Sequence, residues 1–461
     1  MKNFFVGLKD FFKKQIVFVV AILLAVISTI IFKPSGKEIL GAIDFRSLSI
    51  LFSLMAMVQA FSLNGAFTFL SLKIISGVKK SWLLIFALVC ICFFFSMFIT
   101  NDVALITFVP LTISLLQSAG LSSLILITIV LQTLAANLGS MLTPVGNPQN
   151  LYLFNLMKCD VWSFIKIMLP YSCASFLLLI ICIFFVNEFL GRRKCGALTG
   201  EAAVSGRGGA LTGEALLSKT GSGLTKEALL LQTGSGLTGE ALLSKTGVAL
   251  TGEAQLSKIA PAFPKETPLS KTTVLSPKET TQSQTAAPFL KVKLILFSLL
   301  ALISLLTVFN FIPYYVTLPL VLICIFFAER RALKKVDYIL LLTFVGFFIF
   351  TGNLSHSQKI SFLISSVLQK REILCGIISS QVISNVPAAI LLSGFTENLK
   401  ELTVGVNLGG LGTLIASMAS LISFKFYAGL KNSNGAKYIL IFSILNILFL
   451  GILYGMTFFF F

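Results

Sequence analysis

The chain has 461 residues, 56% of them apolar and only 12% charged, with a formal net charge of +18. That charged share is about half the ~25% of an ordinary soluble domain, which excludes a conventional globular reading. The basic residues flank apolar runs instead of forming one stripe, so the charge points to the cytoplasmic face of a membrane and not to nucleic acid.

In chain order, Lys2, Lys9, Lys13 and Lys14 place the N-terminus inside, and Ile16–Phe32 exits. No small-residue cleavage site follows that run, so it reads as a retained span. Leu48–Leu63 returns to Lys73, Lys79 and Lys80. Two apolar arms, Trp82–Ile99 and Val103–Leu116, then meet at Thr100-Asn101-Asp102. Both arms crossing fully would satisfy the charge pattern; so would a re-entrant hairpin over 82–116, which also explains a polar tip at mid-depth. Leu121–Leu156 is expected to exit as one helix broken around Thr143–Pro148, and Phe164–Phe185 returns to Arg192, Arg193 and Lys194. Residues 1–190 thus form a first transmembrane repeat.

Residues 191–290 interrupt the pattern. From Gly196 to Pro288 an acidic residue (Glu201, Glu214, Glu227, Glu240, Glu253, Glu266, Glu279) recurs in tandem units rich in Gly and Thr. The period suits neither a solenoid unit nor one aligned helical face, so the segment reads as a disordered cytoplasmic linker grown by duplication.

Residues 291–461 repeat the plan in the opposite sense. Leu294–Phe311 exits, Leu318–Ala328 returns to Arg330, Arg331, Lys334 and Lys335, and Tyr338–Phe350 exits. A polar, interfacial stretch (Ser355–Lys370) leads to a second hairpin, 373–395, with its tip at Ser384-Asn385-Val386-Pro387. A second broken helix, 402–424, carries Asn407-Leu408-Gly409-Gly410-Leu411-Gly412-Thr413, and Tyr438–Phe461 exits last. The expected fold is an all-α polytopic membrane protein: an inverted repeat with about nine crossings, two re-entrant hairpins and two broken transmembrane helices. The N-terminus and linker are inside and the C-terminus is outside.

Interruptions of this kind survive in hydrocarbon only when buried in protein or lining a watery cavity, and paired interruptions point to a transporter's binding site. Asp102 is the one acidic residue expected deep in the membrane, where an ionisable group is costly and by default functional. It suits Na⁺ coordination or proton carriage; capping the helix that begins at Val103 is the plainer alternative, compatible with either. Asn101 and Asn385 offer both amide oxygens and NH₂ groups. Asn101, Asp102, Asn147 and Asn385 are therefore the candidate Na⁺ ligands, while the helix N-termini beside them suit an anion. Pro144 and Pro148 each remove a helix donor, Gly146 allows backbone exposure, and Thr143 and Asn147 supply polar side chains. Asn, Gly and Pro also simply make turns, but two mirrored tips, each followed by a broken helix, argue for more. His356, the single histidine, reads as solvated or structural. The eight cysteines show neither disulfide nor zinc spacing.

Three strings resemble the ion transporter superfamily: Thr-Asn-Asp-Val-Ala-Leu at 100–105, Leu-Thr-Pro-Val-Gly-Asn-Pro-Gln-Asn at 142–150, and Ser-Gln-Val-Ile-Ser-Asn-Val-Pro at 380–387. They are most similar to its citrate-transporter-like branch, which includes arsenite efflux pumps and sodium/proton antiporters. The divalent anion–sodium symporters of the superfamily carry Ser-Asn-Thr at both tips and bind Na⁺ between each tip and a broken helix, with the substrate carboxylate between. By that resemblance Thr100, Asn101, Ser384 and Asn385 line the site, and Thr143, Gly146, Asn147, Gly412 and Thr413 complete it from the broken helices. The resemblance also implies a bacterial inner membrane, a homodimer and an elevator-like motion of the hairpin domain.

The third tip position departs from the pattern, being Asp102 in one half and Val386 in the other. An ionised Asp102 about 4 Å from an anion costs about 4 kcal/mol at an effective dielectric of ~20. No Lys or Arg is expected within a core span to offset it. The expected function is secondary active transport of a small anion or oxyacid coupled to Na⁺ or H⁺, with no other cofactor. A sodium/proton antiporter, an arsenite efflux permease and a channel are the alternatives. An intramembrane hydrolase would need a paired acid, a Ser/His set or a metal motif, none of which is present, so the chain is not expected to be an enzyme.

Overall fold

A computed structural model describes residues 15–67, 71, 80–186, 188, 283–431 and 433–460. The expected linker, 191–290, lies outside the described residues up to position 282. All described elements are helical.

The first half contains α1 (Ile16–Phe32), the short α2 (Gly36–Ala42), α3 (Phe45–Leu63), α4 (Ser81–Ile99), α5 (Asn101–Ser118), α6 (Ile125–Ser140), α7 (Pro148–Met157) and α8 (Val161–Val186). The second half contains α9 (Ser283–Val308), α10 (Tyr314–Lys334), α11 (Tyr338–Ser355), α12 (Gln358–Leu368), α13 (Glu372–Ile383), α14 (Asn385–Ser393), α15 (Leu399–Leu408), α16 (Met418–Ala428) and α17 (Gly435–Phe460). Helices dominate because hydrocarbon offers no partner for a free backbone N–H or C=O.

Among the described residues, seven helices are long and apolar enough to cross a membrane: α3, α4, α5, the run Ser122–Ser140, α8, α11 and α17. Their outward faces are apolar, with Phe98, Phe184 and Phe459 exposed. This marks a multi-pass membrane protein, with α6 as its innermost helix. The expected return at Leu318–Ala328 ends where α10 kinks: Glu329 leaves helical geometry and pairs with Lys293 at 3.2 Å.

The two hairpins differ in reach. Arms α4 and α5 have 19 and 18 residues, about 28 Å each and long enough to span. Arms α13 and α14 have 12 and 9 residues, about 18 and 14 Å, too short for the ~30 Å core.

Several short-range devices recur in both halves. Asp44 caps α3 by accepting from the Ser47 backbone N–H at 3.0 Å, and Asp337 caps α11 by accepting from that of Leu340 at 2.9 Å. In packing, α1 lies along α11 and α3 along α10. Each hairpin's first arm packs on the first segment of its own broken helix, α4 on α6 and α13 on α15. Close approach there requires glycine: a Cβ at Gly139 would strike the Phe93 carbonyl, and one at Gly409 the Ser380 side chain.

Three particulars differ from the sequence reading. Glu372, at the base of the second hairpin, is only 3% exposed. It is satisfied there by Thr396 Oγ1 and Asn398 Nδ2, both donating to its Oε1 at 2.9 Å. Lys166 does fall within α8, exposed in its second turn. The polar stretch after Ser355 forms α12, which exposes Phe362, Leu363 and Val367. His356 sits exposed at the C-cap of α11.

Candidate functional site

Both tips reverse direction through a residue with positive φ. Thr100 has φ 66° and ψ 148°, and Ser384 has φ 73° and ψ 155°. Non-glycine residues rarely adopt this region, and holding each there costs of order 1–3 kcal/mol. The same strained conformation at both tips launches a new helix at the following Asn. Asn101 Oδ1 accepts from the Asp102 backbone N–H at 3.0 Å. The Asn385 backbone N–H instead donates to the Ala416 carbonyl at 3.0 Å, and Ser384 Oγ donates to the same oxygen at 3.3 Å.

The helix breaks are held to the tips in matching ways. Thr143 Oγ1 donates to the Met97 carbonyl and accepts from the Gly146 N–H at 3.1 Å. Thr413 Oγ1 donates to the Gln381 carbonyl at 3.5 Å, and its backbone N–H donates to Gln381 Oε1 at 2.9 Å. Gly146 is packed onto the Ser140 carbonyl, and Gly412, at φ 106°, lies against the Gln381 amide; neither leaves room for a Cβ.

A buried amide network joins the halves. Asn137 Oδ1 accepts from Asn101 Nδ2 at 2.9 Å and from Ser417 Oγ at 3.0 Å. Its counterpart Asn407 donates to Asn150 Oδ1 at 2.7 Å and accepts from Asn147 Nδ2 at 3.5 Å. Each broken helix's first segment is thus tied to the second segment of the other.

These elements surround a cavity of about 50 Å³, room for one or two waters at ~30 Å³ each. Asn101, Asp102, Ser384, Asn385, Val386 and Pro387 line it from the tips. Pro148 and Gln149 line it from the start of α7, and Ser417 and Met418 from the start of α16. Gln15, Val17 and Phe18 of the α1 end and Asp337 and Leu340 of the α11 end complete its lining. Four helix N-termini, those of α5, α7, α14 and α16, therefore face one space, each carrying roughly +0.5 charge.

Four of the residues singled out in the sequence line the cavity: Asn101, Asp102, Ser384 and Asn385. Thr100, Thr143, Gly146, Asn147, Gly412 and Thr413 instead shape the tips and breaks behind it. Sequence reasoning passed over Asn137, Gln149, Ser417 and Asp337. One signal for Asn137 was available: Asn-Leu-Gly occurs at 137–139 and again at 407–409. Asp337 is a second carboxylate on the cavity that holds Asp102. Among the described residues lining it, none is Lys or Arg.

A sequence model described as "Citrate transporter" matches residues 12–404. An uncharacterized transporter of Methanocaldococcus jannaschii is 25% identical over 417 residues, 90% of each chain. The inner membrane protein YbiR of Escherichia coli is 36% identical over 143 residues, 31% of this chain and 38% of that protein. The P protein of Mus musculus is 28% identical over 131 residues, 28% of this chain and 16% of its own length.

Proposed function

This chain belongs to the citrate transporter family, and from that premise we propose that it is a secondary active transporter. It moves a small anion or oxyacid, with Na⁺ or H⁺ as the coupling ion. The observation that carries this reading is the convergence of both tips and both helix breaks on one cavity that also holds Asp102 and Asp337.

The charge balance supplies a coupling mechanism. The helix N-termini at the tips and breaks favour an anion, while Asp102 opposes one until a cation or proton neutralises its carboxylate. By linkage, the anion raises affinity for the cation by the same factor.

The matching geometry of Thr100 with Ser384, Thr143 with Thr413 and Asn137 with Asn407 supports two repeats. We read them as inverted in the membrane, as alternating access requires. The starts of α1 and α11 line the cavity, and α11 follows the basic run Arg330, Arg331, Lys334 and Lys335. The positive-inside bias then puts these helix starts and the N-terminus on the cytoplasmic side of the cell membrane, and we read the described state as inward-open.

A sodium/proton antiporter is the second reading, favoured by two carboxylates and no Lys or Arg among the described lining residues. Purified protein in proteoliposomes, under imposed Na⁺ and proton gradients and offered succinate, citrate, phosphate and arsenite, tests both. Solute accumulation that stops when an ionophore dissipates one gradient is the expected result. Cation exchange without solute uptake selects the antiporter, and flux indifferent to both gradients refutes coupled transport.

A further inference from the structure

Gln149 stands at the second position of α7, one residue after the proline that opens the helix. Its side chain is only 1% exposed, its Nε2 has no hydrogen-bond partner, and it lines the cavity between the tips. A buried donor left unpaired costs about 1–3 kcal/mol. Its neighbour shows that partners are at hand. Asn150 Nδ2 donates to the carbonyls of Ser140, Met141 and Thr143 at 3.1 to 3.3 Å. The Asn101 amide is likewise committed, to Asn137.

The fold itself does not require this amide. Pro148 corresponds to Met418 at the start of α16, so Gln149 corresponds to Ala419, a buried alanine in the same structural role. The donor therefore exists in one half only, on the half whose tip carries Asp102. With no Lys or Arg among the described residues on the cavity wall, a hydrogen-bond acceptor entering this space meets the Gln149 amide and the positive ends of the helix dipoles.

We infer that Gln149 is a specificity-determining residue whose Nε2–H donates to an oxygen of the transported oxyacid from the break that packs on the second tip, while Asp102, on the first tip, holds the coupling cation. This inference rests on the transport reading above. It assigns the two polar groups opposite tasks: Asp102 accepts, and Gln149 donates. A solute without an acceptor oxygen leaves the amide buried and unpaired, and is rejected on that ground.

Full-length Gln149→Leu and Gln149→Glu variants, reconstituted beside the wild type, test it with phosphate, succinate and arsenite as probes. Gln149→Leu keeps the apolar stem and removes the donor. Its half-saturating concentration for the transported probe is expected to rise at least tenfold, while the unliganded thermal midpoint stays level or rises because an orphaned donor is gone. Gln149→Glu turns an acceptor toward the solute and is expected to lose at least as much. A wild-type half-saturation in Gln149→Leu overturns the inference. So does a lower midpoint with unchanged half-saturation, which makes Gln149 structural. A wild type that moves none of the probes refutes the transport reading itself, and this inference with it.

Discussion

Asp102→Asn removes one charge from the cavity and little else, since size and one acceptor oxygen are kept. An anion about 4 Å from an ionised carboxylate is opposed by about 4 kcal/mol at an effective dielectric of ~20. Asp102 is half-buried and opens on a cavity wide enough for water, so solvent screens a good part of that. A residual of about 1–2 kcal/mol corresponds to roughly 5–30-fold in affinity. In proteoliposomes, Asp102→Asn is therefore expected to lower the half-saturating concentration of an anionic solute by that factor. It is also expected to make uptake indifferent to the gradient that drives the wild type, because the group proposed to exchange the coupling ion is gone. Unchanged gradient dependence refutes the reasoning, as does weaker binding of the anion.

Asn137→Ala leaves the Asn101 amide and the Ser417 hydroxyl without their shared acceptor. About 2–6 kcal/mol of stability should be lost at about 1–3 kcal/mol per buried orphan, read as a lower thermal midpoint. Thr100→Gly relieves a strained φ of 66° worth about 1–3 kcal/mol, against ~0.5–1 kcal/mol of added chain entropy. The midpoint should hold or rise, contrary to the ordinary effect of glycine at a helix start. Asp160, exposed ahead of α8, accepts from the Ser163 hydroxyl at 2.6 Å and the Ser163 N–H at 2.9 Å, and these bonds hold its carboxyl below the usual range. A depressed acid stabilises above its unfolded value and loses that contribution as pH falls through the folded one. Asp160→Ala should lower the midpoint at neutral pH, and the gap should close as the pH is taken below about 4.

The architecture was legible because hydrocarbon leaves the backbone few choices. Apolar runs name the helices, and Thr100-Asn101-Asp102 and Ser384-Asn385 name the places where helices stop. The broken helices were expected at 121–156 and 402–424, and the breaks fall between α6 and α7 and between α15 and α16. The site was legible only in part. Local polarity marks Asn101 and Asp102, but which polar residues face the cavity depends on how four helix starts converge in space. Thr143 and Thr413, polar and placed at the breaks, turn their hydroxyls to backbone carbonyls instead. Asp337 was passed over beside the basic run before it, yet the packing of α1 along α11 accompanies its place on the cavity wall. Gln149 carries no signal beyond its neighbours' string, because its distinction is an unmet hydrogen bond.

The central claim is one solute site shared by both tips and open to one side at a time. Val386, on the cavity wall beside Asn385, reports on it directly when replaced by Cys in a background free of native cysteines. In membranes of known orientation, a membrane-impermeant thiol reagent should label Val386→Cys from the cytoplasmic side. The transported solute should slow that labelling, with half-protection at its half-saturating concentration for uptake. Labelling from the cytoplasmic side that no transported solute slows would contradict the account.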